Sequence, residues 1–364
     1  MDRRNFVLSL GSAAAVSAAE TEIRAAFIGT GNRGRGLVTE VVAQPNVKVA
    51  AICDIDPKAR DQALSMAARD NPRSFDDYRR VLDLRDVDAV IIATPCDLHT
   101  PMSIAALEAG KHVYCEKPLA VTPEQVKQAV AAARKAKTFL QIGQQLRYMP
   151  GMRAAIEKLR AGAIGTPFVI KAQRHSTPLP AEAAAKRPAW YKDVKRSGDL
   201  IVENSVHNLD VCNWAADSHP ASAYGHGKKY IPENIPAGTV MMDGFSVSYI
   251  YENDMHLDFS QLYLHPRSLK DLQNYQWYIV FGSQGAMDLS KGMLYPFEGE
   301  PREIVPAAVR EGREDAMAQF FASIREKRAP YAGIDVAATA ALTAIMGREA
   351  IYRRRMVTWA EVAG

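Results

Sequence analysis

Residues 23–36 read IRAAFIGTGNRGRG, and no other stretch restricts the fold as much. The apolar run Ile23 to Ile28 leads into Gly29-x-Gly31-x-x-Gly34, and Leu37, Val38, Val41 and Val42 then recur on one side of a helical pattern. Strand, tight turn and helix in that order form a dinucleotide-binding turn. Gly29 allows the sharp turn, Gly31 lets a pyrophosphate approach the backbone, and Gly34 lets the helix pack close to the strand. Thr30, Asn32 and Arg33 fill the turn, so they are expected to lie along the cofactor. The first N–H groups of the helix would face its phosphates.

At 364 residues the chain has material for about two domains. Its 45 basic and 41 acidic residues are too balanced to argue for nucleic acid, and no basic block is interleaved with aromatics. No apolar run is long enough to span a bilayer as a mature helix. Cys53, Cys96, Cys115 and Cys212 are scattered and form no C-x-x-C pair. No metal is expected, because His, Cys and Asp nowhere take ligand spacing. There is also no G-x-S-x-G elbow.

The first twenty residues, MDRRNFVLSLGSAAAVSAAE, read as a targeting segment. Arg3-Arg4 precedes a mildly apolar stretch, and Val16-Ser17-Ala18 suits a signal peptidase. Residues 1–19 therefore resemble a twin-arginine signal, which exports proteins already folded. The expected location is periplasmic, or cytoplasmic if that segment is an ordinary N-terminus.

A second buried strand, Val47 to Ile52, ends at Asp54, 23 residues after Gly31. That spacing suits an acid that accepts from the adenosine ribose, which favours NAD over NADP. Arg33, in the turn, and Lys58 and Arg60, after Asp54, are expected nearby and moderate the preference. A third strand from Asp88 ends in Thr94-Pro95-Cys96-Asp97-Leu98-His99, placing Thr94, Pro95 and His99 at the ligand side of a parallel sheet. Strands at 111–115 and 139–142 alternate with helices at 58–70, 101–109 and 123–137. The fold class is α/β, with a doubly wound parallel sheet over about residues 22–145.

The pattern changes beyond Gln144. A helix at 151–161 and a strand from Gly165 precede 175–198, which reads as loop. Alternating segments at 238–251, 255–264, 275–282 and 285–289 suit a mainly antiparallel sheet with one face covered. Helices at 313–327 and 334–352 close this second domain, 146–364.

Two stretches carry candidate chemistry. Glu116-Lys117-Pro118 follows a sheet strand and so falls at the cofactor cleft. Lys117 can donate to a substrate oxygen, or relay a proton if its pKa is lowered. Glu203-x-x-x-His207-x-x-Asp210, on one helix, would gather an acid–imidazole–acid cluster on a face. Asp210 would orient the ring, Glu203 would bind a hydroxyl, and His207 would be the base. After the fifth strand, Gln145 is expected to contact the cofactor, Arg147 and Tyr148 could line the domain junction and bind substrate, and Trp190 could stack on a sugar.

FIGTGNRGRG, CDIDP, the block IIATPCDLHTPMSIAALEAGKHVYCEKPLA, Gln144-Gln-Leu-Arg147, GAIGTP, VHNLDVCNW and Val357-Thr-Trp359 occur in this order. In these pieces the chain resembles the glucose–fructose oxidoreductase / inositol dehydrogenase / rhizopine catabolism family. The resemblance implies a Rossmann domain and a C-terminal α/β domain whose open sheet face commonly mediates homo-oligomers. It makes Lys117 the lysine that contacts the reacting hydroxyl, His207 the acid/base and Asp210 the acid of the H-x-x-D motif. Glu203 stands where related dehydrogenases carry an aspartate. The resulting expectation is an NAD-dependent oxidoreductase of a sugar or polyol. The alternative is a glycoside hydrolase or lyase that oxidises, eliminates and re-reduces with tightly bound NAD.

Overall fold

Six apolar segments pair into one parallel sheet: β1 (Ile23–Ile28), β2 (Val47–Cys53), β3 (Arg73–Phe75), β4 (Ala89–Ile92), β5 (His112–Cys115) and β6 (Leu140–Ile142). The computed structural model describes residues 21–231, 233–266, 268–269, 276–312 and 315–364. The expected export signal lies outside them. The strand order is β3-β2-β1-β4-β5-β6. It reverses between β1 and β4, which opens a crevice at the carboxyl ends of those strands. Helices cover both faces, so β4 is buried at all four positions and reads as an unbroken apolar run rather than an alternating one. The three-residue β3 was too short and too exposed to be read in advance.

The second sheet uses β7 (Pro167–His175), β8 (Pro220–Lys229), β9 (Ile235–Pro236), β10 (Gly244–Tyr251), β11 (His256–Leu262), β12 (Gln276–Gly282), β13 (Gly285–Asp288), β14 (Met293–Pro296), β15 (Arg302–Glu303) and β16 (Val357–Thr358). Its order is β15-β14-β13-β12-β7-β11-β10-β8-β16, with β9 on β8. Every pairing is antiparallel except β7 with β11. Burial alternates along β10 and β11, and the buried face packs under the helices Val206–Ala216 and Ile334–Arg353.

Three expectations need correction. The strand expected from 238 begins at Gly244, because Asp243 accepts from the Tyr230 and Ile231 amides and folds the preceding residues into a loop. The stretch 175–198 holds three short helices, Ala181–Ala185, Ala189–Lys192 and Val194–Ser197. The single helix expected to carry Glu203, His207 and Asp210 is broken. Asp199–Glu203 ends at Asn204, and a new helix starts at Val206. Asn204 and Ser205 are held at the break by the Gln261 side chain of β11.

Near its end the chain returns to the first sheet. In the helix Ala316–Arg325, capped by Asp315, Met317, Phe320 and Phe321 are fully buried. They share a core with Ile23, Phe27, Val47 and Ile91. Phe320 meets Tyr114 and Phe139 edge-on, at 5.9 and 5.8 Å between centroids. Phe320→Ala is expected to cost about 3–5 kcal/mol, read as a lower urea midpoint with an unchanged slope.

Candidate active site

The nucleotide turn is built by three glycines for three steric reasons. Gly29 has φ +86°, and a Cβ there would lie 2.8 Å from the Ala93 carbonyl. A Cβ on Gly34 would lie 2.2 Å from the Gly29 oxygen. A Cβ on Gly31 would meet no protein atom within 4 Å, so that glycine faces open space. The helix Asn32–Val42 has no side-chain cap and no acid in its first turn, which leaves its amide dipoles for a ligand. Asp54, at the end of β2, accepts from the Thr30 amide at 2.6 Å and the Asp56 amide at 2.9 Å. Its carboxylate is thereby fixed beside the turn. Ile55 next to it is 87% exposed, an apolar surface at the adenosine end that sequence reasoning missed.

Arg33 turns across the cleft to Glu116 at 2.8 Å and Glu40 at 3.4 Å, away from Asp54. It therefore cannot offset the Asp54 carboxylate as the sequence allowed. Arg60 stays close, donating to the Asp54 carbonyl. Arg33 Nη2 and Thr94 Oγ1 are buried without hydrogen bonds. A cradle that a Gly31 Cβ would fill, with unused donors along it, fits a dinucleotide.

The carboxyl ends of β5 and β6 carry the candidate catalytic groups. Lys117 Nζ donates to the Glu203 carboxylate at 2.8 Å and to the Glu203 carbonyl. Burial works against the ammonium charge, but the Glu203 carboxylate outweighs it, and the net shift of Lys117 is upward. Burial likewise opposes the charge of Glu203, and Lys117 outweighs it, so Glu203 titrates below its usual range. Lys117 is thus a fixed ammonium, not the proton relay a lowered pKa would have allowed. Two of its three N–H groups are used, leaving one for a ligand. Glu203 Oε2 and the Tyr191 hydroxyl are buried without a formed hydrogen bond.

His207 Nδ1 lies 2.9 Å from Gln144 Oε1. An Nδ1–H donated there leaves Nε2 as the free basic atom. The ring keeps part of its surface on the cleft but is enclosed deeply enough for desolvation to depress its pKa. Lys117, Arg174 and Arg33 add to the depression, which takes it well below the usual imidazole value.

Asp210 does not orient this ring. It is forked onto Arg147 at 2.7 and 2.9 Å, fully buried, with the guanidinium over Trp214. Burial pushes its carboxyl up, and Arg147 opposes this. Arg147 is spent in that pair and is no substrate contact. Tyr148 is buried edge-on to Tyr331 rather than lining the junction. Gln145 is exposed; its neighbour Gln144, 1% exposed, is the glutamine that reaches the site.

His99 is 2% exposed, with its ring nitrogens 2.7 and 2.9 Å from the carbonyls of Pro118 and Thr94. It braces the loop that carries Lys117 and does not face a cofactor. Pro95 leads from the end of β4 into the short turn Cys96–Leu98 before this brace. Trp190 packs edge-on against Tyr191 and against the core. Among the described residues no His, Cys, Asp and Glu group is placed to hold a metal ion. No helix among them is long and apolar enough to cross a membrane.

A doubly wound sheet with this turn, joined to a large mixed sheet whose helices bring an imidazole to its crevice, defines a dinucleotide-dependent oxidoreductase architecture. Residues 23–144 match the family model described as an oxidoreductase family with an NAD-binding Rossmann fold, and residues 152–288 match the GFO/IDH/MocA C-terminal domain. The chain belongs to the Gfo/Idh/MocA family, and its cofactor is NAD.

Scyllo-inositol 2-dehydrogenase (NAD(+)) of Bacillus subtilis is 31% identical over 214 residues, which are 57% of this chain and 58% of that protein. A glycosyl hydrolase family 109 protein of Stenotrophomonas maltophilia is 32% identical over 45% of this chain and 40% of its own length. The chain thus spans less than two thirds of the curated relatives it matches. The WlbA dehydrogenase of Chromobacterium violaceum, solved with NADH and UDP-GlcNAcA, superposes with a TM-score of 0.81. It is 20% identical, over 93% of this chain and 96% of its own. This last likeness concerns the fold.

Gly31→Ala is expected to weaken NAD binding at least tenfold in calorimetry while leaving the melting temperature unchanged. The added methyl meets no protein atom, so only a ligand would feel it.

Proposed function

We propose that the chain is an NAD-dependent oxidoreductase acting on a ring hydroxyl of a sugar or polyol. One observation carries the reading: three complementary polar groups neighbour one another, since Lys117 pairs with Glu203 and its charge acts on His207. They are the free Nε2 of neutral His207, the spare N–H of the Lys117 ammonium and the Glu203 carboxylate, whose Oε2 lies beside the Tyr191 hydroxyl. His207 takes the hydroxyl proton at Nε2, with Gln144 holding its tautomer. Lys117 donates to the same oxygen and stabilises the negative charge that develops there. Glu203 Oε2 accepts from a neighbouring hydroxyl and fixes the ring. NAD, when bound, supplies the hydride acceptor.

Three further readings belong with this one. The twin-arginine segment supports export, and with export a cofactor held tightly through the crossing. The family 109 relative then keeps a second reaction open, in which the product is re-reduced after glycoside cleavage. The outer face of the large sheet supports a homo-oligomer. Tyr295, Ala286, Phe281, Val169, His256 and Ile250 lie opposite one another across six strands, a largely apolar row on the side away from the helices.

His207→Ala should lower turnover about 100-fold or more, the usual worth of a general base, with NAD affinity unchanged. Wild-type rates in that variant would refute the assignment. Because the His207 pKa is depressed, its basic form is already complete at neutral pH. Oxidation should therefore stay flat through pH 7 and fall only as pH drops below the ordinary imidazole value. Lys117→Met removes one depressing charge and should move that acid limb to higher pH. Cell fractionation, followed by sedimentation and NAD assay of the recovered protein, checks the other readings. A cytoplasmic, monomeric, cofactor-free protein would refute them, and release of an aglycone without added NAD would favour the cleavage reaction.

A further inference from the structure

The cations around the crevice differ in one respect. Arg33 is paired with Glu116, Lys117 with Glu203 and Arg147 with Asp210. Among the described residues, Arg174 and Arg187 have no carboxylate within 4.0 Å, although both line one cavity of about 220 Å³. His175, Ser176, Thr177, Tyr263 and Gln276 complete its polar wall, and no acid among the described residues lines it.

This cavity adjoins the catalytic groups. Arg174 on β7 has the parity of buried Ile170 and Ala172, so it stands on the helix-covered face of the sheet. Its ladder neighbours are Gln261 and Gln276. Gln261 holds Asn204 and Ser205, and Gln276 accepts from Asn208; these residues flank His207 on both sides. Arg187 lies over the Tyr191 ring at 4.0 Å, and Tyr191 packs toward Glu203. Two half-buried guanidinium groups, neither in a salt bridge among the described residues although Arg187 lies in the field of Glu203, therefore face the place where a substrate of His207 and Lys117 would extend. Leaving such charges partly desolvated and unpaired is costly, and a planar carboxylate matches their forked donors.

We propose that the substrate is an acidic sugar, a hexuronate or hexonate whose carboxylate is bound by Arg174 and Arg187. This rests on the oxidoreductase reading above and narrows its substrate class. The cavity supplies a place for one charged substituent beside the ring, and its hydroxyl and amide groups supply the remaining contacts. The neutral polyols of the inositol dehydrogenase relatives would leave both guanidinium groups unpaired.

The test compares matched sets: hexoses, their uronates and aldonates, and the hexose phosphates, each with purified NAD-loaded enzyme. At least one acid should exceed its parent hexose tenfold or more in kcat/KM, chiefly through KM. Arg174→Gln should collapse that ratio at least fivefold, and Arg174→Lys should recover part of it. NAD retention in each variant shows that it has folded. Equal or better use of neutral sugars overturns the acidic-substrate inference and leaves the oxidoreductase reading standing. So does an Arg174→Gln variant that lowers acid and neutral substrates alike. Preference for phosphates overturns the carboxylate assignment. No turnover of any sugar by NAD-loaded enzyme overturns both readings.

Discussion

The buried ion pair between Lys117 and Glu203 joins the two halves of the molecule at the point where chemistry is proposed. Lys117 leaves the carboxyl end of β5 in the first sheet, and Glu203 ends a short helix that belongs to the second. Each partner would resist burial alone, and each holds the other charged. Removing one partner of such a pair costs roughly 3–5 kcal/mol, mostly because the survivor is left uncompensated. The pair also decides what the lysine can do. An ammonium held by a carboxylate is a donor of fixed position, so the proposed reaction assigns proton movement to the imidazole of His207.

The supports of that pair follow the same logic of satisfied backbone groups. His99 sits between the Thr94 and Pro118 carbonyls, and Thr100 donates to the Leu119 carbonyl at 2.8 Å. One helix start thus stitches the β4 edge to the loop that carries Lys117. On the other side, Gln261 pins the break at Asn204 and Ser205. That break is what lets Glu203 turn toward Lys117 while His207 turns toward Gln144.

Much of the first domain was legible because its constraints are local. Gly29, Gly31 and Gly34 each answer a steric demand of a single turn, and a strand buried on both faces announces itself as an apolar run. The site was less legible where pairing is nonlocal. Helical spacing suggested that Asp210 serves His207. Spacing cannot reveal that Arg147, 63 residues earlier, claims both oxygens, or that Gln144 takes the ring. Strand β8 was missed for a related reason. Its sequence, PASAYGHGKK, has few β-branched residues, because Gly225 must admit Val247 and Ile351, which a Cβ would meet at 2.8 and 3.0 Å. Small residues chosen for what packs onto them carry no strand signal of their own.

The electrostatics of His207 tie these parts together. Desolvation and three neighbouring cations keep it neutral, so it is ready as a base, but each unit of pKa depression also removes about 1.4 kcal/mol of its affinity for a proton. A base depressed in this way is poorly matched to an alcohol unless something offsets the field at the moment of transfer. Two of the three cations, Lys117 and Arg33, already face carboxylates of the protein, and those charges do not change during a turnover. Arg174 is the one whose field is free to be cancelled from outside. A ligand anion seated there would strengthen the base only while substrate is present. The neutral ring would then gain basicity through the same contact that selects the substrate. The unpaired guanidinium is, on this view, part of how the site couples recognition to proton transfer.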